Sequence, residues 1–322
     1  MNKKTSNILR ILVSAFLFSF LIIRNFNNFK NVPDLLRNLD ISFLILGVFF
    51  YFLGISGDIF KLDILLRAQN IVISKKYLFK LLFIGFFFNN LLPTTVGGDA
   101  YRIYDLSKNK KVPVSKSISA VFLGRFMGML SGFFYLIYSF SFGMYKYLNK
   151  YLVISLLIVF FLTFILIAIL TKPNIFRVNI LFKKFKFLSN LEEEIKSFYK
   201  ILRSYRYKIK SLSMSLFYSL LLQMLIFISF YFISFSIGIN LGIVPFTFIV
   251  PVTSTVSNIP ISIGGIGIRE NTLIFLLKEF SVTESKALTF SIIVLITILL
   301  LAMFGGLVYI VKNIFLKPKG VI

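Results

Sequence analysis

Residues 93–102 read PTTVGGDAYR, and they follow a largely apolar run at residues 77–92. A proline, a glycine pair, an aspartate and an arginine are a poor continuation of an apolar helix. The same pattern returns far down the chain, where residues 260–269 read PISIGGIGIR. Both fit P-x-x-x-G-G-x-x-x-R, so Pro93, Gly97, Gly98 and Arg102 correspond to Pro260, Gly264, Gly265 and Arg269. An asparagine stands just ahead of each proline, Asn90 three residues before the first and Asn258 two before the second.

The surroundings of both stretches are those of a membrane protein. The chain has 322 residues, of which 57% are hydrophobic and 15% charged, and its mean hydropathy is +0.88. Soluble domains carry about 25% charge, and an apolar stretch of roughly 18 residues or more is a candidate bilayer span. The apolar run at 11–23 reads as an uncleaved first span beginning near Asn7, since no small-x-small cleavage site follows it. Further apolar stretches are 41–60, 77–92, 117–142, 151–171, 212–237, 242–257 and 287–311. The net charge of +24 flanks these segments, which points to the anionic face of a bilayer and away from nucleic acid. Cysteine, histidine and tryptophan are absent. No disulfide framework, thiolate metal site or near-neutral general base is expected, and no cofactor or metal.

The segment 172–210 is the most polar, strongly basic apart from Glu192, Glu193 and Glu194. Within it Ile195, Phe198, Leu202, Tyr205, Ile209 and Leu212 recur at spacings of three and four, one face of a helix. Acids at its start and bases at its end suit the helix dipole. A helix lying on the membrane surface is the expectation, with a coiled-coil seam as the alternative.

Lysine and arginine in the loops set the orientation. The N-terminus, the C-terminus and the 172–210 linker should all be cytoplasmic. Eight complete crossings would put Lys108, Lys110, Lys111, Lys116 and that linker outside. If 77–92 and its following turn re-enter from the cytoplasm, and 242–257 re-enters from the other face, every basic segment falls inside. The expected fold is therefore an all-α polytopic membrane protein, a single transmembrane domain over residues 1–322. It has six full spans and two re-entrant helical hairpins. Residues 41–142 and 212–311 form an inverted repeat around the linker, a plan that recurs in transporters.

Irregular backbone at membrane depth is tolerated only inside protein or beside a wet cavity. Proline ends the incoming half-helix. Paired glycines give access to unusual dihedrals and close approach. The outgoing half-helix starts with backbone N–H groups and partial positive charge, which suits an anion. Arg102 and Arg269 add formal charge one turn in, and Arg125 adds a third within 117–142. An arginine at mid-membrane costs roughly 2.5–3.5 kcal/mol and needs a partner. Asp99, Glu270 and Asp58 are the candidate acids.

FFFNNLLPTTVGGDAYR, GRF at 124–126 and NIPISIGGIGIRE together resemble the lysylphosphatidylglycerol synthase transmembrane region family, also called flippase-like. Asn90, Pro93, Gly97, Gly98, Asp99 and Arg102 match its first motif. Pro260, Gly264, Gly265, Gly267 and Glu270 match its second. Arg125 matches an arginine that often follows an acid; Gly124 stands there in this chain. The resemblance implies the membrane half of proteins that aminoacylate phosphatidylglycerol and move the product across the bilayer. Other members stand alone and are connected with polyprenyl- or dolichyl-linked sugars. In bifunctional members the transfer belongs to a large soluble C-terminal domain, and this chain ends eleven residues after its last apolar stretch.

The leading expectation is a lipid translocator in the cell membrane. An anionic phospholipid or polyprenyl phosphate would bind between the two hairpins. Substrate-binding residues would be Asn90, Pro93, Gly97, Gly98, Asp99, Arg102, Arg125, Asn258, Pro260, Gly264, Gly265, Arg269 and Glu270, with none catalytic. The alternative is a lipid-linked glycosyl-, phospho- or aminoacyl-transferase component using Asp34 and Asp40 of NVPDLLRNLD, although an Asp40 ahead of Ile41 also reads as a helix N-cap. A third reading is an accessory subunit that presents lipid to a separate lipid-modifying enzyme.

Overall fold

The computed structural model describes residues 30–92, 97–147, 192–258 and 262–315. The expected first span, the stretch 151–171, the linker up to residue 191, and both motif prolines, Pro93 and Pro260, lie outside them. Every regular element among the described residues is helical. In chain order these are α1 (Val32–Arg37), α2 (Ile41–Ser56), α3 (Asp58–Arg67), α4 (Lys75–Leu91), α5 (Gly97–Lys110), α6 (Val114–Ser141), α7 (Glu192–Ser204), α8 (Ile209–Ser236), α9 (Ile243–Ser257), α10 (Ile268–Glu279) and α11 (Glu284–Phe315). Among the described residues, four helical stretches are long and apolar enough to cross a bilayer: Ile41–Arg67, Val114–Ser141, Ile209–Ser236 and Glu284–Lys312.

Asp40 opens the first of these as an N-cap, accepting hydrogen bonds from Ser42 N (2.9 Å) and Phe43 N (3.4 Å). This is the structural role the sequence allowed for it. Asp40→Ala is expected to cost about 1 kcal/mol, seen as a lower midpoint when helix loss is followed by circular dichroism in detergent.

Small residues set the helix contacts. On α2, Gly47 lies against Ile233, Gly54 against Ile226 and Gly57 against Leu222 of α8. The α8 numbers fall as the α2 numbers rise, so the two helices run antiparallel. On α11, Gly305 meets the Phe83 backbone and Gly306 the Phe87 ring, both on α4. On α6, Gly132 stands beside Pro251 of α9, 3.5 Å from where its Cβ would be. α11 and α6 thus each pack along the incoming helix of the pair more distant in sequence.

Two pairs of short helices fold back on themselves, α4 with α5 and α9 with α10. At about 1.5 Å per residue, the 17 residues of α4 and the 15 of α9 span less than the roughly 30 Å of a hydrocarbon core. Each pair has its own apolar centre. Leu65, Leu66, Leu78, Leu82, Leu106 and Ala120 bury together around the first. Phe246, Ile249, Leu273, Leu277, Leu288 and Phe290 do so around the second.

The amphipathic face in the linker is real, but protein covers it. Phe198 meets Phe122 of α6 edge-on at 5.8 Å, and Leu202 and Tyr205 are buried. The Tyr205 hydroxyl donates to Leu65 O at 2.7 Å and accepts from Gln69 Nε2. The face also stops short: a 3-10 turn at Tyr205–Tyr207 breaks the helix, and Ile209 is left exposed. The expected surface helix is therefore docked onto α3 and α6 through its apolar side, and the buried phenol finds the partners it needs at the C-terminal end of α3.

Candidate functional site

The tips of the two helical pairs meet. A Cβ on Gly264 would stand 2.4 Å from the carbonyl oxygen of Asn90, so only glycine permits the contact. Gly264 also has φ +57°, Gly265 +78° and Gly267 +83°, all in the left-handed region that glycine tolerates without a Cβ penalty. The second motif therefore uses its glycines for backbone conformation. The first uses them for proximity: Gly97 and Gly98 already belong to α5, and a Cβ on Gly98 would lie 1.9 Å from Gly85 O.

Between the tips lies a chamber of about 250 Å³. The first pair contributes Phe86, Asn89 and Asn90; the second contributes Ser254, Ser257, Asn258, Gly264 and Arg269. Arg125 of α6, Tyr51 of α2 and Ile298 of α11 complete the wall. Arg269 Nη2 donates to Gly264 O at 2.7 Å, while its Nη1 is buried with no partner. Among the described residues, no carboxylate lies within ion-pair distance of Arg269.

The other charges sort themselves behind this chamber. Asp99 is 3% exposed and holds two cations: Arg102 Nη1 at 3.3 Å and Arg125 through its Nε. The acid that Gly124 fails to supply to Arg125 thus comes from the first motif. Arg102 does not reach the main chamber. It borders a second cavity of about 110 Å³ on the other side of Arg125, with Asp58, Lys61, Gly124 and Gly128. Asp58 pairs there with Lys61 at 2.6 Å, so it partners neither motif arginine directly.

The helix starts are less open to an anion than the sequence implied. Glu270, 1% exposed, accepts from Gly267 N at 2.5 Å through Oε2. Asn89 Oδ1 accepts from Gly98 N at 2.7 Å. In both turns a side chain already takes a leading backbone N–H, which leaves the arginines as the chief donors. Arg269 is also earlier than expected, the second residue of α10 and not a full turn in.

Of the expected site residues, Asn90, Arg125, Asn258, Gly264 and Arg269 line the chamber. Gly97, Gly98, Asp99, Gly265 and Glu270 are not among its lining residues, and Arg102 faces the smaller cavity. Tyr51, Asn89, Ser254 and Ser257 are lining residues that the motif comparison passed over. For Asn89, Ser254 and Ser257 the signal lay in TSTVSN at 253–258 and in the doubled asparagine at 89–90, runs of hydroxyl and amide groups inside apolar segments; Tyr51 had no such signal.

A family model described as "Lysylphosphatidylglycerol synthase TM region" matches residues 7–306. The chain belongs to this family. A UPF0104 membrane protein of Methanocaldococcus jannaschii is 27% identical over 242 residues, covering 73% of this chain and 98% of that protein. With four described stretches able to span a bilayer, the family member is a multi-pass membrane protein.

Proposed function

We propose that this protein binds an anionic lipid headgroup, that of a phospholipid or a polyprenyl phosphate, between its two hairpin tips and moves it across the cell membrane. The observation that carries the reading is the chamber itself. Arg125 and Arg269 stand in its wall and no carboxylate does. Arg125 is already held by Asp99, but the buried Nη1 of Arg269 has no partner; a buried cationic group costs energy unless something compensates it, and a phosphate among amide and hydroxyl groups does so with charge-assisted hydrogen bonds. The Asn90–Gly264 contact places this chamber where both glycine motifs converge.

In this reading the two short helical pairs are re-entrant hairpins, and six other segments span the bilayer. The two halves are inverted repeats, with the basic linker and both termini cytoplasmic. Support comes from the antiparallel course of α2 and α8, the first helix of each half. It comes also from the exchange in which α11 packs on α4 and α6 on α9, because a two-fold relation would interchange those contacts. The contact of Gly264 with Asn90 sets described residues of both motifs against protein, the condition for irregular backbone at membrane depth.

The test is transbilayer movement of a fluorescent anionic lipid in proteoliposomes, read by the fraction open to an external quencher. Each charge-assisted contact contributes about 1.5–3 kcal/mol, so Arg125→Ala combined with Arg269→Ala should slow movement by at least about tenfold. A folded double variant that scrambles lipid at the parental rate would overturn the proposal.

A further inference from the structure

The second motif buries a carboxyl that does not line the chamber. Glu270 is 1% exposed, and its two oxygens are placed differently. Oε2 accepts from Gly267 N at 2.5 Å, the contact of a capping box. Oε1 is buried without a hydrogen-bond partner, so capping accounts for one oxygen and leaves the other open. Among the described residues, no lysine or arginine lies within ion-pair distance of this carboxyl. A carboxyl buried in this way can hold or release a proton, and the charge beside it decides which. That charge is Arg269, the preceding residue, which lines the chamber with its buried Nη1 unpartnered. Other charges are remote or belong to the chamber wall. α9 and α11 pack against α10; α9 has no ionisable side chain, and α11 has none between Lys286 and Tyr309. On α10 itself Lys278 and Glu279 lie about two turns farther along. Arg125 and Tyr51 are the other titratable groups of the chamber.

Resting on the reading that the chamber binds an anion, we propose that Glu270 is a proton-binding site coupled to it, taking up one proton with each anion that Arg269 holds. Without an anion, the guanidinium offsets an ionised Glu270 through space. An anion at Arg269 cancels that field and brings a like charge toward the carboxylate, which then takes up a proton. Linkage is reciprocal, so protonating Glu270 tightens anion binding. Affinity is full in acid, where Glu270 is already protonated, and falls as pH rises, by up to about tenfold per pH unit for one proton. Ser257 stands between the chamber and this turn. A Cβ on Gly265 would lie 3.1 Å from Ser257 Cβ and 3.2 Å from Arg269 Nη2. The Ser257 hydroxyl is buried without a partner, and as both donor and acceptor it can hand a proton on. Anion and proton then cross together, and a pH difference across the membrane drives the anion toward the less acidic side.

The experiment follows binding of a fluorescent phosphatidylglycerol to the full-length protein in detergent, by anisotropy, from roughly pH 5 to pH 8. This phosphodiester keeps the same charge over that range, and the chain has no histidine, so neither the probe nor an imidazole supplies the titration. The parent protein should lose affinity by about tenfold or more across the range. Glu270→Gln fixes the side chain in a neutral form while keeping an oxygen for Gly267 N–H, and glutamine serves a capping box as glutamate does. It should bind equally at every pH, with the affinity the parent has in acid. A pH indicator in weakly buffered solution should register uptake of about one proton per lipid bound by the parent and none by the variant. A parent affinity that does not change with pH, or a variant that keeps the parent's pH dependence, would overturn the coupling while leaving anion binding standing. If phosphatidylglycerol binds at no pH, the broader reading falls and this one with it.

Discussion

Gly98→Ala is expected to destabilise the protein by about 3 kcal/mol or more, combining overpacking with a lost buried hydrogen bond. The added Cβ would stand 1.9 Å from Gly85 O, 2.6 Å from Gly85 C and 2.8 Å from Asn89 Cγ. Carbon atoms pack best at about 3.5–4.0 Å, so α5 would have to move off α4 by more than an ångström. The obstacle is mainly backbone, which no rotamer change can clear. That movement would stretch the Gly98 N to Asn89 bond of 2.7 Å and pull Asp99 away from its arginines. Gly124→Ala is the matched control. Its Cβ would find only Leu65 Cδ1, at 3.7 Å, and replacing a mid-helix glycine should be neutral or stabilising by up to about 1 kcal/mol. The fraction of monodisperse protein after a temperature series in detergent reads both. A Gly98→Ala midpoint equal to that of Gly124→Ala would show that the two helices are not in backbone contact there.

The two glycine pairs mark both how far the sequence could be read and where it stopped. The shared letters placed two breaks at matching positions, and both motifs fall between the ends of short helices. The letters did not fix how many residues separate the glycines from the helix that follows. In the first motif the helix begins at Gly97 itself, so Arg102 lies in its second turn and reaches Asp99. In the second, the turn continues through Gly267 and the helix begins at Ile268. Arg269 therefore sits at the very start and folds back onto Gly264 O. That difference depends on backbone dihedrals that glycine leaves open, and pattern matching does not see them.

Partners were harder to read than periods. The three-and-four spacing from Phe198 to Tyr205 correctly gave a helical face, but spacing cannot say whether lipid or protein covers it. The deciding group was the Tyr205 hydroxyl, which Leu65 O and Gln69 satisfy from another helix. Arg125 raised the same problem. An acid beside it in sequence would have been visible, whereas Asp99 reaches it only because α5 and α6 pack side by side. The lining role of Ser254 and Ser257 was hidden because hydroxyl residues in apolar helices often bond back to their own backbone. Thr255 does so, donating to Pro251 O at 2.8 Å.

Asp99→Asn should be the most damaging single change of charge, because one buried carboxylate serves two cations. Arg102→Gln would leave Asp99 paired with Arg125, but losing Asp99 takes the same carboxylate from both arginines. Removing one partner of a buried ion pair costs about 3–5 kcal/mol, mostly through the charge left behind. Arg102, whose side chain is 14% exposed, should account for most of it; Arg125, at 38%, retains some access to water. The double variant Asp99→Asn/Arg102→Gln should then recover part of the loss, with a coupling energy of about 1–3 kcal/mol. Additive losses would mean that the pair does not stabilise the fold. Lipid affinity separates the two roles such a carboxylate can have. An Asp99 that only pins helices would lower the midpoint without changing affinity. One that competes with an anionic headgroup for Arg125 would, once removed, tighten binding of anionic lipid in the protein that remains folded. The latter is the expected result, because Asp99 holds Arg125 by Nε and the same guanidinium forms part of the chamber wall.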